Sequence, residues 1–271
     1  MNKVEGVILD WAGTTVDFGC FAPVKVFVNI FKNAGIDVTM EEARAPMGML
    51  KIDHIRAMLS MPRVSALWEE KYGRDFHEQD VEALYAEFEP ALMATLSDYT
   101  NPIPTVIETM EVLRERGLKV GSTTGYTNTM MDVVVSNALA KGYSPDCYVT
   151  PDDTNAMGRP YPYMIYRNME KLKLQTAWKI VKVGDTTSDI KEGVNAGVWS
   201  IGVIVGSSEM GLSIEEFHSL SESEKEEIIS KTRTSFMNNG ADFTIETMSE
   251  LPQLIDEING LLADGKRPGV K

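Results

Sequence analysis

The sequence predicts an α/β fold: a parallel sheet covered by helices on both faces, with an all-helical segment inserted into it. Three observations carry this. Short apolar runs of strand length recur along the chain, and stretches of helical periodicity separate them, as in folds built of β-α-β units. The alternation breaks between residues 20 and 100, where helical spacing continues without any strand-like run. The expected strands also end in small or acidic residues, on the sheet edge where open α/β folds bind ligands.

The first strand is expected over residues 4–9, ahead of Asp10. In the segment that follows, Val24, Phe27, Val28 and Phe31 recur at i, i+3, i+4 and i+7, one face of a helix, and Gly35 follows as a stop. Thr39 and Glu42 have the spacing of a capping box. Val81, Leu84, Tyr85 and Phe88 repeat the helical spacing. This insertion reads as a helical cap domain, residues 20–100, bounded near Gly19 and the "NPIP" at residues 101–104. Residues 1–19 and 101–271 then form a Rossmann-like core domain. Further strands are expected at residues 118–122, 147–149, 180–183 and 199–205, and in "ADFTI" from Ala241. "SESEKEEIISK", residues 221–231, reads as a solvated helix face, and the C-terminal "DGKRPGVK" as a frayed tail.

The whole chain sets outer bounds. Its 271 residues suffice for about two domains. A formal net charge of −14 argues against non-specific binding of nucleic acid and against anionic membrane surfaces. The two cysteines, Cys20 and Cys147, fit no zinc spacing and suit a reducing compartment better than a disulfide scaffold. No apolar stretch approaches a signal peptide or the ~20 residues of a membrane span, so a cytoplasmic location is expected.

Four loops carry candidate chemistry. Asp10 ends the first strand and opens "DWAGTT". "STTGYT", residues 122–127, places hydroxyls and Gly125 at a strand end before a helix, where backbone N–H groups can hold an anion. Arg159 in "GRPYP" can neutralise a phosphoryl group. Asp185 ends another strand in "GDTTSD", with Asp189 four residues on. Taken singly these read as a turn aspartate, a helix start, a surface arginine and a capping carboxylate. Two carboxylates on one sheet edge, together, suit Mg²⁺ with phosphate oxygens completing its shell.

In that order, Asp10, Thr124, Arg159 and Asp185 match the four motifs of the haloacid dehalogenase superfamily, which the sequence therefore resembles. The resemblance implies a nucleophilic aspartate at Asp10, phosphoryl binding by Thr124 and Arg159, and acidic metal ligands at the last motif. Most phosphatases of that superfamily carry an acid at the position of Ala12, to protonate a departing alkoxide. Its absence suits a carbon leaving group whose electrons pass into an iminium formed on a lysine. "PMGMLKIDHIRAM" offers Lys51 among apolar residues, with Met47 and His54 on the same helix face. On its own Lys51 reads as a solvent-facing lysine, and His54 as a histidine bonded to a neighbour.

With Ala12 and Lys51 together, the chain resembles the phosphonatase family over nearly its whole length. The resemblance implies hydrolysis of the P–C bond of phosphonoacetaldehyde, as part of the breakdown of 2-aminoethylphosphonate. Lys51 would form the Schiff base and Asp10 the aspartyl phosphate. Mg²⁺ would be held by Asp10, the Ala12 carbonyl and Asp185, with Asp189 orienting this shell. Thr124 and Gly125 would hold phosphonate oxygens, and His54 or Tyr126 would manage protons. Cys20 and Met47 would shape the pocket. A homodimer joined through the caps completes the expectation.

Overall fold

The computed structural model describes residues 3 to 269. Six strands form one parallel sheet: β1 (Gly6–Leu9), β2 (Lys119–Thr123), β3 (Cys147–Val149), β4 (Ile180–Gly184), β5 (Trp199–Val203) and β6 (Phe243–Ile245). Their spatial order is β3-β2-β1-β4-β5-β6. The chain therefore builds outward from β1 on one side and then crosses to β4 on the other, which makes the ends of β1 and β4 a topological switch point. All six lie where the apolar runs place them, within two residues at most ends.

Register brings the loops together. Leu9 is level with Ser122 on one side and with Val183 on the other. The residues just beyond them are Asp10, Thr123 and Gly184, and one step further come Thr124 and Asp185. Motifs more than a hundred residues apart thus meet at one edge because β1 pairs in parallel with both β2 and β4.

Between β1 and β2 the described chain is helical: α1 (Phe21–Asn33), α2 (Met40–Arg44), α3 (Lys51–Leu59), α4 (Pro62–Tyr72) and α5 (Glu78–Met93), with a short 3₁₀ turn after α5. The apolar stripes face each other: Val24, Phe27, Phe31, Val81, Leu84 and Phe88 are buried. Phe27 stacks on Phe88 with ring centroids 4.3 Å apart. Gly35 has φ +76°, the left-handed conformation that ends a helix. Both bonds of the Thr39–Glu42 capping box are present.

The core is completed by α6 (Val106–Glu115), α7 (Asn128–Ala140), α8 (Tyr163–Leu172), α9 (Thr187–Ala196), α10 (Ile214–Ser219), α11 (Glu222–Asn238) and α12 (Leu251–Ala263). The charge run opens α11, capped by Ser221 and Glu224. No helix among the described residues is long and apolar enough to cross a membrane. The expected frayed tail is corrected as far as Gly269, because it has partners on the core. Arg267 lies over the Trp178 ring at 3.8 Å, and the Gly269 N–H donates to Asp242 at 2.7 Å. Val270 and Lys271 lie outside the described residues.

Candidate active site

The loop after β1 is held tightly. The N–H groups of Thr14, Thr15 and Val16 all turn back to the Trp11 carbonyl. The Trp11 indole donates to Ser122 Oγ at 2.7 Å, which fixes the loop to β2. Gly13 has φ +89°, and a Cβ there would lie 2.0 Å from an Asp185 oxygen, so only glycine lets this loop approach β4 so closely. Asp185 is bound on both oxygens, by the Thr14 hydroxyl at 3.1 Å and the Ser208 N–H at 2.8 Å.

Asp10 is buried and accepts a hydrogen bond from Arg159 Nη2 at 2.5 Å. The same guanidinium donates through Nε to Glu192 at 3.0 Å and through Nη2 to Thr123 Oγ1 at 2.8 Å, and it lies 3.1 Å from Asp189. Burial would lower the pKa of Arg159, but Asp10, Asp189 and Glu192 together hold it above its ordinary value. Burial also raises the Asp189 carboxyl; Arg159 and Lys182 outweigh this and keep it below the ordinary range. Asp185 is pushed well up, first by burial and then by the negative charges of Asp10 and Asp189.

Asp10, Asp185 and Asp189 each offer an oxygen, all within 4.8 Å of one another. The atoms they offer are all carboxylate oxygens, which suit a hard divalent cation. Asp189 lies against two cations, Arg159 at 3.1 Å and Lys182 at 2.8 Å, whereas the partners of Asp185 are neutral donors, a hydroxyl and an N–H. Asp10 and Asp185 are thus better placed to hold an ion, with Asp189 behind them.

Lys51 enters from the insertion as the first residue of α3. Its side chain is buried, with Nζ 3.9 Å from the Met47 sulfur and 5.0 Å from the centre of the Tyr126 ring. Burial lowers its pKa; Cys20 and Asp10 oppose this, and the Arg159 charge adds to it. The positive end of the α3 dipole acts in the same direction as burial. A small cavity of about 20 Å³ is lined by Asp10, Ala12, Cys20, Met47, Gly48, Lys51, Thr124, Gly125, Tyr126, Arg159 and Thr186. Sequence reasoning singled out nine of these eleven residues.

Comparison with known proteins agrees with this geometry. A family model described as haloacid dehalogenase-like hydrolase matches residues 4–197. The chain is 59% identical over 262 residues to a phosphonoacetaldehyde hydrolase of Lysinibacillus sphaericus, covering 97% of each. It is 53% identical over 256 residues to one of Bacillus cereus, covering 94% of this chain and 97% of the other. The chain belongs to the phosphonoacetaldehyde hydrolases, within the haloacid dehalogenase-like family. It is also 56% identical to part of a bifunctional phosphonoacetaldehyde hydrolase/aminoethylphosphonate transaminase of Clostridioides difficile, covering 95% of this chain and 40% of that longer one. The solved structure of a phosphonoacetaldehyde hydrolase-like protein from Oleispira antarctica superposes with a TM-score of 0.94 at 37% identity, covering 98% of this chain and 96% of the other.

The cavity wall draws on both the sheet edge and the helical insertion. His54, Asp185 and Asp189 stand behind it. The His54 ring is fully buried, stacks on Phe27 at 3.8 Å, and bonds the Ala43 carbonyl through Nε2 at 2.9 Å. A carbonyl only accepts, so the proton sits on Nε2, and Nδ1 is a buried acceptor without a partner. Burial, aided by the Lys51 charge, holds the His54 pKa well below its usual value. Any proton work by His54 is therefore confined to accepting at Nδ1. The Tyr126 hydroxyl is buried without a partner, and burial raises its pKa well above the usual value, so it is a phenol rather than a phenolate.

Two wall residues escaped the sequence reading. Gly48 lies between two methionines with φ +87°, and a Cβ there would meet Thr186 Oγ1 at 2.4 Å. Thr186 is the second residue of the "DTT" run. Lys182 and Glu192, which hold Arg159 and Asp189 from below, were missed as well. Their signals were a lysine inside the buried run "IVKVG" and a glutamate one helical turn after Asp189.

Proposed function

We propose that this chain hydrolyses the P–C bond of phosphonoacetaldehyde, giving acetaldehyde and phosphate, in the breakdown of 2-aminoethylphosphonate. The observation that carries the reading is a single cavity that holds a buried lysine with a lowered pKa and a buried aspartate under an arginine, with alanine where an acid would stand. In this reading the helical segment, residues 20–100, is a cap domain over a core made of the remaining chain. The protein is cytoplasmic and pairs through its caps as a homodimer.

The neutral amine of Lys51 attacks the aldehyde carbon, water leaves, and a protonated imine forms. The Asp10 carboxylate attacks phosphorus opposite the carbon. The electrons of the P–C bond pass into the iminium, giving an enamine and an aspartyl phosphate. Water then cleaves the acyl phosphate to regenerate Asp10. The enamine takes a proton on carbon, and hydrolysis of the imine releases acetaldehyde and free Lys51. No alkoxide is expelled, so Ala12 leaves nothing undone. Arg159, Thr124 and Gly125 bind the phosphonate oxygens, and Arg159 offsets their repulsion with Asp10. Asp10, Asp185 and the Ala12 carbonyl would hold Mg²⁺, which when bound supplies charge stabilisation at phosphorus.

Borohydride trapping tests the reading. Protein, phosphonoacetaldehyde and Mg²⁺ are mixed, borohydride is added, and the adduct is mapped by mass spectrometry. A reduced two-carbon adduct on Lys51, with activity lost in parallel, is expected. Release of phosphate without any adduct would return the chain to an ordinary phosphatase chemistry.

A further inference from the structure

Lys182 is the middle residue of β4, a strand buried along its whole length, and its neighbours in sequence are Val181 and Val183. An ammonium there is costly unless its bonds are met. They are met fully. Nζ lies 2.9 Å from Thr123 Oγ1, 2.8 Å from Asp189 and 3.3 Å from Glu192. Stability alone is a weak reason for such a residue, because buried ion networks replaced by packed apolar side chains often lose nothing.

The three acceptors are the same three that Arg159 touches, at 2.8 Å for Thr123, 3.1 Å for Asp189 and 3.0 Å for Glu192. Arg159 has a further carboxylate partner, Asp10, which Lys182 does not reach; nor does Lys182 line the cavity. Without Lys182, Arg159 would be the sole cation against both carboxylates below it. Those carboxylates would then compete with Asp10 and the substrate for its N–H groups.

Resting on the function proposed above, we propose that Lys182 is a positioning residue for phosphoryl transfer. Its ammonium engages Asp189, Glu192 and the Thr123 hydroxyl from below, so that Arg159 stays turned toward Asp10 and the phosphoryl oxygens.

The test compares the full chain with Mg²⁺ as wild type, as Lys182→Met and as Lys182→Met/Glu192→Gln. Inorganic phosphate is titrated by calorimetry, and the Lys51 adduct is trapped in parallel. Lys182→Met is expected to bind phosphate about ten- to a hundredfold more weakly, the worth of one charge-assisted hydrogen bond, and to release phosphate more slowly by a similar factor. At saturating aldehyde its yield of trapped adduct should match wild type, since the Arg159 charge is kept and Lys182 does not line the cavity. Glu192→Gln in the second variant restores the charge balance, so phosphate affinity should recover by about tenfold over the single change. Damage to the fold predicts the opposite, a further loss. Phosphate affinity of Lys182→Met within about threefold of wild type, or a double variant no better than the single one, overturns the assignment. If Lys182→Met is too unstable to isolate, the double variant is read alone: affinity within about tenfold of wild type supports the role, and a larger loss refutes it. Failure of the wild type to form an adduct would count against the imine alone, because the phosphate titration does not involve it.

Discussion

Gly125 offers a sharp test of how closely the helical insertion must seat on the sheet edge. A Cβ at this position would lie 2.5 Å from the Met49 carbonyl oxygen and 2.9 Å from that of Gly48. Ordinary contact begins at 3.4 Å, so the Met49 oxygen must retreat by 3.4 − 2.5 = 0.9 Å. Both obstacles are backbone, and no rotamer change relieves them. Met49 is two residues from Lys51, so the retreat carries the amine away from Asp10. A misplacement of about 1 Å costs on the order of a hundredfold in rate, or about 2.7 kcal/mol of barrier.

The backbone at Gly125 is not in the left-handed region, so alanine adds no strain there and even restricts the unfolded chain, worth about 0.4–1 kcal/mol. Gly125→Ala should lose about a hundredfold in kcat/KM for phosphonoacetaldehyde, and its thermal midpoint should fall as well, because overpacking against backbone costs about 1–3 kcal/mol. Gly260→Ala is the control. It lies in α12 with nothing near its built Cβ, and should be as active as wild type. Gly125→Ala activity within about threefold of wild type would show that the seating tolerates the shift, and the distance argument would be refuted.

Other predictions follow from the charges. The rate of adduct trapping should rise with pH through the lowered pKa of Lys51, because only the neutral amine attacks; an acid limb at the free-lysine value of 10.5 would contradict the burial argument, and Lys51→Arg should trap nothing. Mg²⁺ should raise the thermal midpoint, by the equivalent of about 2.7 kcal/mol at a hundred times its dissociation constant. An equal rise in Asp185→Asn would sink the ion site. Burial raises Asp17 from 3.8 to about 7, against two N–H donors from Phe21 and Ala22. Its folded pKa is the higher one, so its contribution is present below pH 3.8 and is lost as the pH rises through about 7. The shift amounts to at most about 4 kcal/mol. Thermal midpoints of Asp17→Asn, neutral throughout, should fall less than wild type between these limits; parallel curves would remove Asp17 as the source.

The local chemistry of this chain was legible without coordinates. Apolar runs marked all six strands, because strands covered on both faces are mostly apolar. The stripes of α1 and α5 and the Thr39–Glu42 box are written in spacings of three and four. Asp10, Thr124, Arg159 and Asp185 stood out as hydrophilic residues ending apolar runs or opening helices, and the absence of an acid at Ala12 led to Lys51. These features depend on neighbours in sequence, and periodicity and capping act over that range.

Tertiary structure alone decided the rest. Parallel register set Asp10 level with Thr123 and Gly184, and no local pattern encodes register between strands more than a hundred residues apart. Gly48 and Thr186 joined the wall only because the insertion closes on the sheet edge, where any Cβ on Gly48 would collide. His54 shares a helix face with Lys51, yet its ring turned to Phe27 and the Ala43 carbonyl, a choice made by packing between helices. The tail docked because Trp178 and Asp242 lie beneath it. Lys182 passed unnoticed in an apolar run, because its three partners are brought to it only by the fold. A buried charge is explained by the groups that fold around it, and those groups come from β2 and α9, far along the chain.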